Sequence, residues 1–386
     1  MEFGLTEEQR LIQQTAREFA DERLAPLAAE YDRTEEFTAP QAKMLAEMGF
    51  LGMMVPEEYG GSGLDTVSYV LAMEEVSRAC ASTSVTMTVQ NSLVCWPVDF
   101  FGNEEQKRKY LVPLARGEIL GCYALTEPVA GSDPASMATT AQEDGDSYVL
   151  NGSKIFISNG GVAQVALVWA QTNRKLKHNG ISCFIVDADT PGYMVGTEEK
   201  KLGIRGSNTV ELHFENCRVP RANLLGTAGD GFKIAMQTLD GGRIGIAAQA
   251  LGIGQASIDV AVKYAHERQA FGKPLADIQA IQFKIADMAL EVQASRLLTY
   301  HAAWLKDKGV RYTKQAAMAK LHASEAATKA SHMALQVHGG YGYLKDFPVE
   351  RLYRDARITE LYEGTSEIQR LVISSMTLKE GRPAVS

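Results

Sequence analysis

Apolar positions along this chain change their period twice. From the start to about residue 120 the spacing is helical. Thr6 to Gln9 has the form of a capping box, in which two side chains satisfy backbone N–H groups at a helix start. Leu11, Ile12, Ala16, Phe19 and Leu24 then fall on one helical face. Gly60-Gly61-Ser62-Gly63 interrupts the pattern and reads as a turn or close-approach loop. Helical spacing resumes over Tyr69 to Ser77 and Glu104 to Ala115. From about 121 to 225 the period shortens. Ser147 to Leu150 and Lys154 to Ile157 are β-like runs, and Asn151-Gly152 between them predicts a hairpin. Asn159-Gly160 marks a second turn, and Val165 to Ala170, Ile181 to Val186 and Thr209 to Phe214 are further strands. From about 232 to 378 the helical pattern returns in long runs, with Ile278, Ile281, Ile285, Met288 and Val292 at three- and four-residue steps. Helices of this length need partners along their whole length, which predicts a bundle and subunit association. The tail after Leu378, Lys379 to Pro383, reads as a frayed end.

The order predicts an α+β protein in three parts: an N-terminal α-helical domain over 1–120, a middle antiparallel β domain over 121–230, and a C-terminal four-helix bundle over 231–386. Alternating β and α units are absent, so a parallel nucleotide-binding sheet is not expected. Gly252-Ile253-Gly254 lies inside a helical stretch with no strand before it, which excludes a dinucleotide fingerprint.

Composition narrows the function. The 386 residues are 45% hydrophobic and 22% charged, enough for a sizeable core. A net charge of -8 argues against a nucleic-acid surface. The five cysteines, Cys80, Cys95, Cys122, Cys183 and Cys217, are scattered without a CxxC pair, which suggests core thiols in a reducing, intracellular and cytoplasmic setting. Glu2, Glu7, Glu8 and Arg10 exclude a signal peptide, and no apolar run is read as membrane-spanning. The seven histidines form no metal-binding set. His332 and His338 are six apart, off helical face spacing, and read as structural or solvated.

The most informative segment is Leu361-Tyr362-Glu363-Gly364-Thr365-Ser366-Glu367. A carboxylate beside glycine allows close backbone approach to a ligand, and the hydroxyls suit phosphate or sugar oxygens. The same residues could simply cap a helix.

Four runs in order resolve the choice. Tyr123-Ala124-Leu125-Thr126-Glu127-Pro128-Val129-Ala130-Gly131-Ser132-Asp133 comes first. Glu267-Arg268-Gln269-Ala270-Phe271-Gly272-Lys273-Pro274 follows, then Gln336-Val337-His338-Gly339-Gly340-Tyr341-Gly342-Tyr343, and last Tyr362 to Thr365. Together they resemble the signatures of the acyl-CoA dehydrogenase family across essentially the whole chain, closest to its short-chain, butyryl-CoA type.

The resemblance implies the following roles. Glu363 is the general base that takes the proton next to a thioester, while FAD accepts a hydride from the next carbon. Tyr123, Leu125, Thr126, Gly131 and Ser132 wrap the flavin ring, and Phe156, Ile157 and Ser158 cover its other face. Arg268 and Gln279 reach the flavin of a neighbouring subunit, Phe271 is a further cofactor-binding position, Gln336, Gly339 and Gly340 approach the adenosine diphosphate portion of the cofactor, and Thr365 and Glu367 complete the site. Ser132, Asp240, Arg243 and Gly364 match substrate-contacting positions, with a local salt bridge the plainer reading of Asp240 and Arg243. The chemistry requires that burial raise the pKa of the base and that donors meet the thioester oxygen. Relatives with the base on another helix place it just before the arginine that matches Arg243. Gly242 stands there and cannot serve. The resemblance also implies a homotetramer and electron transfer flavoprotein as electron acceptor. Val94-Cys95-Trp96-Pro97 departs from the short-chain pattern at the expected acyl-pocket wall, where Trp96 could reshape the pocket or pack in the core. A same-fold oxidase or monooxygenase, or a non-enzymatic acyl-CoA-binding protein, are the alternatives.

Overall fold

The computed structural model describes residues 4–380, so most of the expected frayed tail lies outside the described residues. The last helix, Ser366–Glu380, includes Lys379.

The N-terminal part is helical. Helix Glu7–Phe19 opens with the expected capping box, with Thr6 and Gln9 each bonding the other's backbone N–H. Ala16 is buried, but Leu11 is exposed, because the buried face of this helix runs through Ile12, Ala16 and Phe19 instead. Helix Thr66–Ala79 is buried along almost its entire length. The segment Val85–Leu93, partly π-helical, packs beside it.

Strands β1 (Gly121–Ala124), β2 (Thr140–Asp144), β3 (Ser147–Ser158), β4 (Val165–Gln171), β5 (Ile181–Asp187), β6 (Tyr193–Glu198), β7 (Thr209–Pro220) and β8 (Leu224–Leu225) form one sheet in the order β6-β7-β3-β2-β4-β5-β8, with β1 added on β4. Two sequence expectations are corrected here. Asn151-Gly152 is not a hairpin turn. It is a bulge inside the continuous strand β3, where the register against β7 slips between Leu150 and Gly152. The hairpin is closed upstream by Gly145-Asp146 between the paired Asp144 and Ser147. Nor is the sheet purely antiparallel, since β1 runs parallel to β4 and β2 touches β4 through a parallel bridge. Asn159-Gly160 does turn the chain, with Asn159 at φ 62°.

Helices Gly231–Glu267, Gln279–Asp307, Thr313–His338 and Ser366–Glu380 form the C-terminal bundle. Met288, Val292, Ala330 and Ala334 share a core there, with Ile281 and Ile285 packed against it. The 37-residue helix Gly231–Glu267 is long and apolar enough to cross a bilayer, which the sequence reading did not foresee, but 78% of its apolar window is buried in the protein. Its glycines permit close packing: a Cβ on Gly252 would lie 2.3 Å from the Glu74 carbonyl oxygen. His338 is buried and stacks on Tyr264 at 4.1 Å, whereas His332 is exposed. All five cysteines are buried and unpaired, and burial pushes the Cys217 thiol up to about 11.

Candidate active site

The sheet, the Val85–Leu93 segment, the long helix and the last loop enclose a cavity of about 200 Å³. Tyr123, Leu125, Thr126, Gly131, Ser132, Phe156, Ile157 and Ser158 line it from the β side, Arg243 from the long helix, and Glu363 and Gly364 from the C-terminal loop. Residues from four distant stretches of sequence thus meet in one place.

Local structure explains how two of them are aimed. The β3–β7 register slips again between Lys154 and Ile157, and within that slip Phe156 adopts φ 60°. A bulge re-aims a side chain, and a positive φ in an aromatic residue is strained. The Phe156 ring is 62% exposed within the protomer. The chain is held there by the Ile155 N–H donating to the Thr126 carbonyl at 3.0 Å. Glu363 is the second strained residue, at φ 52°, followed by Gly364 at φ 94°. Such conformations cost roughly 1–3 kcal/mol each and persist only where the surroundings hold them. The holding groups are visible. Gln369 Nε2 donates to the Glu363 and Gly364 carbonyls at 3.2 and 2.9 Å, and Tyr362 donates its hydroxyl to Gln249 Oε1. Thr365 Oγ1 accepts from the Ile368 N–H, so the capping reading of this segment also holds.

Glu363 is chemically distinctive. As a residue it is partly exposed, but its Oε2 is fully enclosed and has no hydrogen-bond partner. Burial pushes its carboxyl up to about 8, and the charges of Lys320 and Arg243 pull only partly against that. A carboxyl with a raised pKa in a cavity is a candidate proton-transfer group. The alternative base position converges on the same point, since a Cβ on Gly242 would lie 1.9 Å from Glu363 Oε2. The glycine therefore leaves the space that this carboxylate occupies.

Other predicted residues lie elsewhere. Asp240 Oδ1 accepts from Arg243 at 2.7 Å, the expected local salt bridge, and its Oδ2 accepts from Thr313 at 2.6 Å. Asp240 lines a neighbouring cavity of about 860 Å³ with Trp96, Lys306 and Arg311, and Arg243 borders both cavities. Trp96 is thus not at the wall of the inner cavity. It stacks on Phe100 at 5.1 Å in the outer one, while Val94 and Cys95 point into the core. Arg268, Gly339 and Gly340 line a separate cleft, with the guanidinium 5.4 Å from the Tyr341 ring centre. Phe271 is 95% exposed, and Gln279, Gln336 and Glu367 are exposed too. A single protomer does not bring these groups to the Glu363 cavity.

Two buried lysines escaped the sequence reading. Lys154 Nζ donates to the Leu125 carbonyl at 3.1 Å and to Glu127 Oε1 at 2.7 Å, under the loop that lines the cavity. Burial alone would raise the Glu127 carboxyl, but Lys154 and the Ala138 and Thr139 N–H groups outweigh it and hold it below its usual range. Lys320 sits behind the Glu363 loop. Neither has a local sequence signal, because a lysine in a strand or helix pattern normally reads as solvated.

A flavin needs a slot with apolar faces and polar groups along an edge. The Phe156 ring, Leu125 and Ile157 supply the first, and the Thr126 and Ser158 hydroxyls the second. Glu363, with its unpartnered oxygen, lines the same space. These residues fit the group.

Comparison with known proteins places the chain in a family. Three domain profiles match in order: acyl-CoA dehydrogenase N-terminal domain over residues 6–118, middle domain over 122–217 and C-terminal domain over 229–378. The chain belongs to the acyl-CoA dehydrogenase family. It is 55% identical over 378 residues to the mitochondrial short-chain specific acyl-CoA dehydrogenase of Mus musculus, covering 98% of this chain and 92% of that protein. Butyryl-CoA dehydrogenase from Megasphaera elsdenii superposes with a TM-score of 0.96 at 45% identity, over 98% of this chain and 100% of the other. A chain solved in work on the electron transferring flavoprotein of Acidaminococcus fermentans superposes with a TM-score of 0.97 at 49% identity, again over 98% and 100%.

Proposed function

We propose that this protein dehydrogenates a short-chain acyl-CoA to the 2-enoyl-CoA, with FAD as cofactor and Glu363 as the base that takes the α-proton. The observation that carries the reading is the enclosed, unpartnered Glu363 oxygen in a cavity lined by the flavin-type residues. FAD, when bound, supplies the acceptor for the hydride that leaves the β-carbon. The protein supplies the rest. Tyr123, Leu125, Thr126, Gly131, Ser132, Phe156, Ile157 and Ser158 hold the ring. Enclosure excludes water from Glu363 and raises its affinity for a proton toward that of a thioester-activated carbon. The Glu363 backbone N–H, fixed by the strained turn, is placed to donate to the thioester oxygen as charge develops there.

The acyl group enters the small aliphatic space between Val85, Val89, Leu93, Leu239 and Ile246. The 55% identity to a short-chain specific acyl-CoA dehydrogenase supports a short acyl group. Gly364 and Ser132 flank the thioester. Asp240 and Arg243, at the boundary with the outer cavity, meet the carrier arm as it leaves toward Lys306 and Arg311, whose cationic groups suit its phosphates. Arg268, Phe271, Gln279, Gln336, Gly339 and Gly340 serve the FAD of a neighbouring subunit in a homotetramer, and Thr365 and Glu367, at the start of the last helix, serve a flavin outside their own protomer's cavity. An apolar stripe supports association. Phe283, Leu290, Leu297 and Trp304, seven residues apart, are 60%, 69%, 47% and 49% exposed on one line of helix Gln279–Asp307. Reduced flavin is reoxidised by electron transfer flavoprotein, and five unpaired buried thiols favour a cytoplasmic setting.

The test is an anaerobic titration of the purified yellow protein with saturated acyl-CoAs of increasing length. Bleaching by butyryl-CoA, weakening as the chain lengthens, supports the proposal. A flavin that no acyl-CoA bleaches refutes it.

A further inference from the structure

Behind the loop that carries Glu363 lies a second buried charge. Lys320, on helix Thr313–His338, has 0% exposure. Its Nζ donates at 2.7 Å to the carbonyl of Gly364, the residue next to Glu363. No carboxylate is hydrogen-bonded to this ammonium among the described residues. A buried ammonium without such a partner is costly to maintain. The charges nearest it are Glu363 foremost, then Arg243, which opposes it, and then Glu360 and Glu325. Burial pushes its own pKa down to about 8.

The surrounding geometry gives the ammonium two tasks. The Gly364 carbonyl takes only two side-chain donors, Lys320 Nζ and Gln369 Nε2, and it closes the left-handed turn that aims Glu363. The groups that face the Glu363 carboxyl from the packed elements are Lys320, Arg243 with its partner Asp240, Tyr69 of helix Thr66–Ala79, Tyr123 of β1 and Tyr362 of the same loop. Burial raises all three tyrosines above their usual range, so they stay neutral. Arg243 is partly neutralised by Asp240. Lys320 is therefore the positive group near the base whose charge no carboxylate hydrogen bond offsets.

We propose that Lys320 is a positioning residue for this reaction: its ammonium clamps the Gly364 carbonyl and so fixes the Glu363 turn, and its charge favours the ionised, proton-accepting form of Glu363. The proposal rests on the reading of Glu363 as the base.

Two variants separate the tasks. Lys320→Gln keeps a donor for Gly364 and removes the charge, whereas Lys320→Met removes both. The readouts are the pH profile of single-turnover flavin reduction and the infrared carboxyl band present in wild type and missing in Glu363→Gln. In Lys320→Gln the acid limb and the band's titration both move to higher pH by about one unit, so the rate at pH 7 falls about tenfold. Lys320→Met shows the same shift and a further fall in the plateau rate. A Lys320→Gln profile and band that titrate as in wild type overturn the proposal. If neither variant folds, the reverse measurement decides. With 15N-labelled lysine, Glu363→Gln must lower the Lys320 titration, and an unmoved titration overturns the proposal. Failure of the underlying reading looks different: a Glu363→Gln protein still bleached by substrate refutes the base itself, whatever Lys320 does.

Discussion

At the residue scale, function is concentrated in groups held where ordinary folding would not leave them. Phe156 and Glu363 both sit at positive φ and both line the cavity. Glu363 has a raised pKa, and the sign of its effect follows. If Glu363 is the base, activity needs its carboxylate, and kcat/KM of the free enzyme should rise with pH through about 8. Stability runs the other way. The native state keeps a proton that the unfolded chain releases between the ordinary 4.5 and about 8, so this group's contribution falls as pH rises through that window. Glu363→Gln should therefore melt ~2 °C above wild type at pH 9 and show a smaller difference at pH 5, by differential scanning calorimetry. Gly242→Ala places a methyl against Glu363 Oε2 and Leu93, displacing the base without a buried charge. Single-turnover flavin reduction should fall about 10²-fold while FAD content is retained. The local pattern around Glu363 reads equally as a helix cap, and only the four runs taken together single it out as the candidate base. Lys320 was not legible, since Ala319-Lys320-Leu321 in a helix carries no sign that its lysine is buried. The sequence leaves Trp96 open between pocket wall and core, because spacing does not reveal that it turns toward the outer cavity.

At the scale of elements, strand positions were read well and strand pairing less so. β4, β5 and β7 contain the apolar runs that announced them. The bulge at Asn151-Gly152 was taken for a hairpin because both structures use the same residues for the same conformational freedom. What decides between them is the distant partner β7, which pairs on both sides of the bulge. The parallel docking of β1 on β4 is equally non-local. The Lys154–Glu127 pair ties these strands to the cavity loop, with side chains 0% and 2% exposed. Lys154→Met strands the Glu127 carboxylate and should cost about 3–5 kcal/mol with faster loss of FAD on dilution. The double variant Lys154→Met/Glu127→Leu should recover part of that stability in chemical denaturation, since no charge is then left unpaired. Equal loss in both would show that the pair is not coupled.

At the scale of the whole molecule, the helix–sheet–helix order was plain from the change of period, because periodicity survives in each sequence segment independently of tertiary detail. Association is expected from the need of long helices for partners and from the family resemblance. The structure adds the exposed stripe from Phe283 to Trp304 and the distance of Arg268 from its own protomer's Glu363 cavity. If the proposed association uses this stripe, replacing Leu290 and Leu297 together by aspartate should give monomers in sedimentation velocity and release FAD with them. Monomers that retain FAD would show that each protomer builds its flavin site alone.

The central claim is that Glu363 takes the proton. Its most direct test is stopped-flow reduction of the bound flavin by butyryl-CoA without oxygen, comparing wild type with Glu363→Gln at pH 8. Wild type should bleach within one turnover, while Glu363→Gln should bind the same FAD and the same thioester and stay yellow, at least 10³-fold slower. Rapid bleaching of Glu363→Gln would contradict the account.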